Sequence, residues 1–345
     1  MRSELLATSL LAVLVVACSS SSSSGDSCGA FFDSTTAYTQ ACSSSSSGKT
    51  KDKARFLQTC QLSLAAPGTS LTPAAVDACA AAYRSAAASC TSADVEKACS
   101  TAPGALADGA ACGGSEQCAS TYCKKESSSS STTETGCGKC AATVALGAAC
   151  DAAKDRCVRG SSCKTTGTST TGTCTASTSA TKVPEGGACV SETGSFSSCD
   201  AGLRCDFPTK KCAKLVASGE ACLATSDCQK GLACVGNRCG AKVAVGGTCA
   251  TSSDCVNGAA CDATKKCAAY TFGAPGDACD LGTKQCAKGS CTGVTVGTSG
   301  VTPGKCPTII ADGQPCDTKS ETARCDEYAS CIGGKCQIFD PSTCK

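Results

Sequence analysis

Cysteine carries most of the chemistry available to this chain. It supplies 37 of 345 residues, whereas histidine and tryptophan are absent. Thiols pair as disulfides, ligate soft metals, or attack as thiolates. Zinc sites usually place ligands two to four residues apart and often share them with histidine. Here the one Cys-x2-Cys is Cys137/Cys140, no Cys-x-Cys occurs, and five-residue intervals dominate. Cys137-Gly-Lys-Cys140 has the spacing of a redox-active pair but lacks a βαβ context. The two read instead as neighbours serving different bridges. Cysteine above about 8–10% in a secreted chain marks a disulfide scaffold. The missing histidine removes Ser-His-Asp and Cys-His nucleophiles. The expectation is a non-enzyme with no cofactor and no metal.

The cysteines recur in a pattern. Seven times Gly-x-x-Cys is followed by three more cysteines, the first of each set being Cys112, Cys150, Cys189, Cys222, Cys249, Cys279 and Cys316. The glycines three residues earlier are Gly109, Gly147, Gly186, Gly219, Gly246, Gly276 and Gly313, which suggests a turn with positive φ or a close backbone approach. Five units also place glycine three residues after the second cysteine; Thr121 and Tyr328 break that rule. The interval from third to fourth cysteine varies most, holding four residues in Cys234–Cys239 and fourteen in Cys291–Cys306, as expected of an exposed hairpin tip. A basic residue precedes most fourth cysteines: Lys139, Lys211, Arg238, Lys266, Lys305 and Lys335. Asp227, Asp254, Asp262 and Asp280 intersperse opposite charge, so these cations read as solvated hairpin positions rather than an anion-binding stripe. Cys137 and Cys344 are left over, to pair with each other, with the N-terminal domain, or with nothing. The units run 105–140, 141–174, 183–212, 216–239, 243–267, 273–306 and 310–345. Units this small bury too little surface to fold unaided, so disulfides must supply the deficit.

Residues 28–104 differ. They hold six widely spaced cysteines and five of the aromatics: Phe31, Phe32, Tyr38, Phe56 and Tyr83. Thr72-Pro73 is a helix start, and the Ala-rich run after it places Val76, Cys79, Tyr83 and Cys90 on one face. Ser92 can cap a short helix ending near Cys99. Helices are also expected over 29–42 and 53–64, with Ser43–Ser47 as a loop. Six cysteines allow 15 pairings, and the sequence does not choose among them. The fold class expected is small and disulfide-rich: tandem, mostly irregular units with short β-hairpins, preceded by a small α-helical disulfide-stapled domain.

Residues 1–17 have the length and layout of a signal peptide, with Arg2 before the apolar run Leu5–Ala17. Val15-Val16-Ala17-Cys18 resembles the lipobox of bacterial lipoproteins, which implies lipidation at Cys18. Removing Cys18 from the count leaves 36 cysteines, an even number. Residues 18–27 read as a Ser-rich tether. Ser19 rather than Asp after the cysteine favours the outer membrane, by the enterobacterial sorting rule. The location expected is thus the outer membrane or cell surface of a Gram-negative bacterium. A formal charge of +2 gives no electrostatic case for nucleic acid.

The layout Gly-x-x-Cys-x5-Cys-x2-Gly-x2-Cys-x4/5-Cys over 105–344 resembles the cysteine-rich half-modules of Dickkopf N-terminal, colipase and prokineticin-like domains. It is also similar to cysteine-rich lipoproteins of myxobacteria, where a helical region precedes such units. The resemblance implies first-to-third and second-to-fourth pairing. Carried onto the two tidiest units, it gives Cys222–Cys234, Cys228–Cys239, Cys249–Cys261 and Cys255–Cys267. The animal families are extracellular ligands or lipase partners, not enzymes.

The function expected is therefore non-catalytic binding or adhesion, by a protein held at the membrane through its N-terminal lipid and facing a protein or polysaccharide ligand. The alternatives are a structural envelope spacer and a protease inhibitor presenting a rigid loop.

Overall fold

The computed structural model describes residues 23–42, 51–90, 93–125, 136–176, 182–191, 196–200, 202–280, 282–297 and 300–345. Cys18, Ser43–Ser47, Ser92 and the serine run 127–131 lie outside them. Four helices come first: α1 (Ser24–Cys42), α2 (Lys53–Leu64), α3 (Pro73–Ser89) and α4 (Ala93–Ala98). Asp52 caps α2 by accepting from the Arg55 amide, and Thr72 caps α3 by accepting from Ala75, with Pro73 in the first turn. α1 begins inside the segment read as tether. The Ser23 hydroxyl accepts from the Asp26 amide and donates to its carboxylate at 2.7 Å, a cap that starts the helix five residues early. Cys90 is not on the face of α3. It stands just past the helix at φ 51, in the left-handed region.

Three disulfides staple the helices: Cys28–Cys60 joins α1 to α2, Cys42–Cys90 joins the ends of α1 and α3, and Cys79–Cys99 joins α3 to the end of α4. Between them Phe31, Phe32, Phe56, Tyr38 and Tyr83 stack with ring centroids 5.3 to 5.8 Å apart. Such tilted pairs add about 0.5–1.5 kcal/mol each beyond their burial.

Each of the seven units repeats one frame. The first cysteine bonds the third, and the second bonds the fourth, from Cys112–Cys123 and Cys118–Cys140 through to Cys316–Cys331 and Cys325–Cys336. The third and fourth cysteines face each other across an antiparallel hairpin in six units, as Cys234 and Cys239 do, so the two bonds leave the hairpin side by side. In the first two units a third strand adds to the hairpin. In the sixth, the long interval forms its own small hairpin, Thr295–Gly297 against Gly300–Thr302.

The glycine before the first cysteine is where the frame closes. All seven lie at φ between 78 and 90, and each donates its amide to the carbonyl of the fourth cysteine at 2.7 to 2.9 Å. The glycine after the second cysteine is also left-handed, at φ 71 to 88. Thr121 and Tyr328, which replace it, adopt the same conformation at φ 56 and φ 62. The turn is thus demanded by the frame, and these two side chains are held in it against steric preference.

Units do have a small core, made of sulfur and, in most, one or two aliphatics. Three residues before the first glycine stand Leu106, Val144, Val183, Val216, Val243, Gly273 and Ile310. Each pairs in parallel with the second cysteine of its unit. Leu106, Val144, Val216 and Val243 pack on the buried cysteines.

The units fold back on the helices and on one another. The first unit bonds the helical domain through Ala105 N to Gly68 O, Ser70 N to Glu116 O, and Gln117 Nε2 to Pro67 O. In the fourth, Lys230 donates to the last carbonyls of α3, Ala87 and Ala88, at 2.8 and 2.6 Å. In the fifth, Asn257 donates to Gln40 O. The seventh grips α2: Arg55 forks onto Asp312 at 2.8 Å and donates to Glu327 O, while Asp52 N donates to the Glu327 carboxylate. Cys137–Cys344 then ties the seventh unit to the first across 207 residues. There Phe339 lies against Gly136, where a Cβ would meet its ring at 2.5 Å, and Lys125 stands 5.1 Å from its centroid. The eighteen disulfides suit an oxidising extracellular environment. Among the described residues no helix is long and apolar enough to cross a membrane.

Two outcomes are expected. Gly246→Thr, at φ 90, should lower the thermal midpoint by an amount equivalent to about 1–2 kcal/mol. Thr121→Gly should leave it within about 0.5 kcal/mol, because relieved strain offsets the added chain entropy. Equal losses in calorimetry would show that the two turns are not equivalent. Separately, thiol titration of denatured, unreduced protein should find almost none, and Cys344→Ser should expose one thiol, mapping to Cys137.

Candidate functional site

The residues singled out by sequence fall into frame and surface. Cys222–Cys234, Cys228–Cys239, Cys249–Cys261 and Cys255–Cys267 are bonded pairs. Sulfur triads such as Cys222, Cys228 and Cys239 lie within 4.8 Å of one another, but they are the two stacked disulfides of one unit, and a bonded sulfur is not a thiolate ligand. Cys137 and Cys140 serve different bridges, to Cys344 and Cys118.

The basic residues before the fourth cysteines are all exposed. Their backbones pair with the residue preceding the first cysteine, as Arg238 does with Ala221 and Lys266 with Thr248. Asp227 and Asp254 are not part of a surface charge pattern. They are 7% and 4% exposed, and their carboxylates accept from Leu223 and Ala224 and from Ala250 and Thr251. Gln117 does the same for Gly113 and Gly114 in the first unit. Asp262 and Asp280 accept amides within their own turns. The signal was present in the sequence: a polar acceptor directly before the second cysteine, four residues after the amide it binds.

The apolar surface is concentrated in the third and fourth units. Phe196 and Phe207, 69% and 61% exposed, stack edge to face at 6.0 Å. Leu223 is 75% exposed in the next unit, which Arg204 joins to the third by pairing with both Asp206 and Asp227. Hydrogen bonds from Thr209 and Arg204 hold the Asp206 carboxyl below the usual carboxylate range.

Two clefts open beside the helices. The wider, about 960 Å3, lies between the ends of α1 and α3 and the fourth and fifth units. Its lysines are occupied: Lys230 caps α3 and Lys242 donates to Asn257. The narrower, about 410 Å3, is bounded by α2, α3, the segment after α4 and Tyr328 of the seventh unit. Phe31, Phe56, Leu64, Leu71 and Val76 line it with the Cys79–Cys99 disulfide, and no charged residue does. Thr59, Ser63 and Ser70 reach it, but their hydroxyls donate to the backbone carbonyls of Arg55, Thr59 and Ala102. Tyr328 lays its ring on Phe56 at 5.6 Å, and burial pushes its phenol up in pKa, with Glu327 and Asp52 adding to the effect. This cleft escaped sequence reading because one wall comes from some 270 residues away. Its trace in the sequence is Tyr328 itself, a departure from the glycine rule.

The clamp that brings Tyr328 to α2 is electrostatic at its edges. Burial opposes ionisation of Asp326, but Lys288 at 2.7 Å and the Glu327 amide outweigh it and hold that carboxyl low. No protein-family model, curated protein or solved structure matches this chain.

A carboxyl depressed on folding stabilises above its unfolded pKa, and that contribution is lost as pH falls through the folded value. The difference in thermal midpoint between wild type and Asp326→Asn should therefore be constant from about pH 5 to 8 and shrink below about pH 4. A difference that grew on acidification would reverse the assignment.

Proposed function

We propose that the chain is an exported protein of the bacterial envelope, anchored by a lipid on Cys18, that binds a protein or polysaccharide partner without catalysis. The observation that carries this reading is the aromatic pair Phe196 and Phe207, left exposed on a disulfide-framed unit. Exposed aromatics on a rigid support are the usual anchors of an interface. Disulfides on both sides of a loop reduce the ordering entropy lost on association. The chemistry runs against catalysis. Histidine is absent. Asp206, Asp262 and Asp326 are held low rather than raised toward neutrality, and a general acid needs the opposite. Closure from Cys137 to Cys344 runs against a spacer, since it returns the seventh unit to the first instead of extending the chain.

Growth with a labelled fatty acid should tag the wild type, whereas Cys18→Ser should be released unlabelled. Phe196→Ser with Phe207→Ser should abolish, or reduce at least tenfold, adhesion of protein-coated beads to envelope fractions. Unchanged adhesion would move the binding surface elsewhere, and labelling of the serine variant would remove the anchor.

A further inference from the structure

We propose that the cleft between α2, α3 and the seventh unit is a preformed site for one neutral, largely hydrocarbon small molecule carrying a single hydrogen-bond acceptor. The argument starts at Tyr328. Five units place glycine at this turn and the frame holds it left-handed in every one. A bulky residue there costs conformational energy, and strain of this kind clusters where a side chain is needed in a fixed place. The place is the wall of the cleft, against Phe56.

The lining selects by charge. It contains no ionisable side chain besides the phenol, so an ionic ligand would lose its hydration with nothing to replace it. Three of the hydroxyls that reach the cleft already donate to the backbone. Tyr328 brings the one phenol of the lining, a group able to donate to a single acceptor. The walls are fixed by disulfides and by one ion pair. Cys28–Cys60 fixes α2 on α1, Cys79–Cys99 fixes the segment after α4 on α3, and Arg55 clamps the seventh unit through Asp312. A hydrocarbon ligand that covers these apolar walls releases the water against them. An apolar cavity of about 150 Å3 holds benzene. The volume here, about 410 Å3, is between two and three times larger, which suits two or three fused rings or a medium-length alkyl chain.

The test uses the soluble Cys18→Ser chain, which has no acyl group of its own to bind a dye. Titration with N-phenyl-1-naphthylamine should give saturable, blue-shifted emission at one dye per chain. Decan-1-ol should displace it at least tenfold more effectively than decanoate at pH 8. Ala75→Trp, which fills the cleft from α3, should weaken dye binding at least tenfold. Tyr328→Gly restores the glycine rule and should keep the fold and its disulfides, yet lose affinity by a similar factor. The Phe196→Ser, Phe207→Ser chain should bind the dye as wild type does, which separates this site from the exposed surface. Non-saturable binding, equal displacement by decanoate, full affinity in both cleft variants, or loss in the surface variant would each overturn the proposal.

Discussion

Two disulfides leaving one hairpin side by side are what the rest of this structure depends on. A unit of about thirty residues with so few buried aliphatic side chains cannot offset its chain entropy by burial. The bonds act on the other side of the balance, by shrinking the unfolded ensemble, each by about 2–4 kcal/mol. Their geometry then dictates the backbone. With the third and fourth cysteines opposed, the first and second must approach from the same side, and the chain entering the unit has to turn left-handed to do so. The seven glycines at φ 78 to 90, donating to the fourth cysteine's carbonyl, are that turn.

The same frame explains how the units assemble. Their glycine turns are exposed, while the residue that bridges in parallel to the second cysteine follows closely on the last strand of the preceding unit, as Val216 follows Lys211–Lys214 and Val243 follows Arg238–Ala241. Little apolar surface is left to drive stacking. Contacts with the helices are therefore polar and specific: a lysine on the carbonyls of α3, an arginine fork on Asp312, an amide on Glu327. Tyr328 is the exception, an aromatic contributed by the frame to the helical core.

Much of the fold was legible because it is local. Gly-x-x-Cys, the glycine after the second cysteine, and the starts of α2 and α3 are each written within a few residues. The breaks at Thr121 and Tyr328 turned out to mark strain, not a change of turn. What was not legible depends on distance or on a second use for a common residue. The three helical disulfides follow from which helix ends meet, and Cys137–Cys344 follows from the path of the whole chain. The Ser23–Asp26 cap was hidden in a serine run. Asp227 and Asp254 looked like surface charge because acidic residues beside lysines usually are. Of the candidate site, only the irregularity at Tyr328 was visible. The cleft itself needs α2 and the seventh unit in contact.

Pairing of every described cysteine has an electrostatic corollary. Side chains that ordinarily change charge near neutrality are histidine, near pH 6.5, and the cysteine thiol, near 8.5. This chain has none of the first, and the described cysteines are all bonded. Among the described residues neither of these two side-chain types is free to titrate. The net charge of +2 is then a plateau rather than a point. A surface built this way presents the same field to its surroundings whether they are mildly acidic or mildly alkaline, and proton concentration in that range has no handle on it.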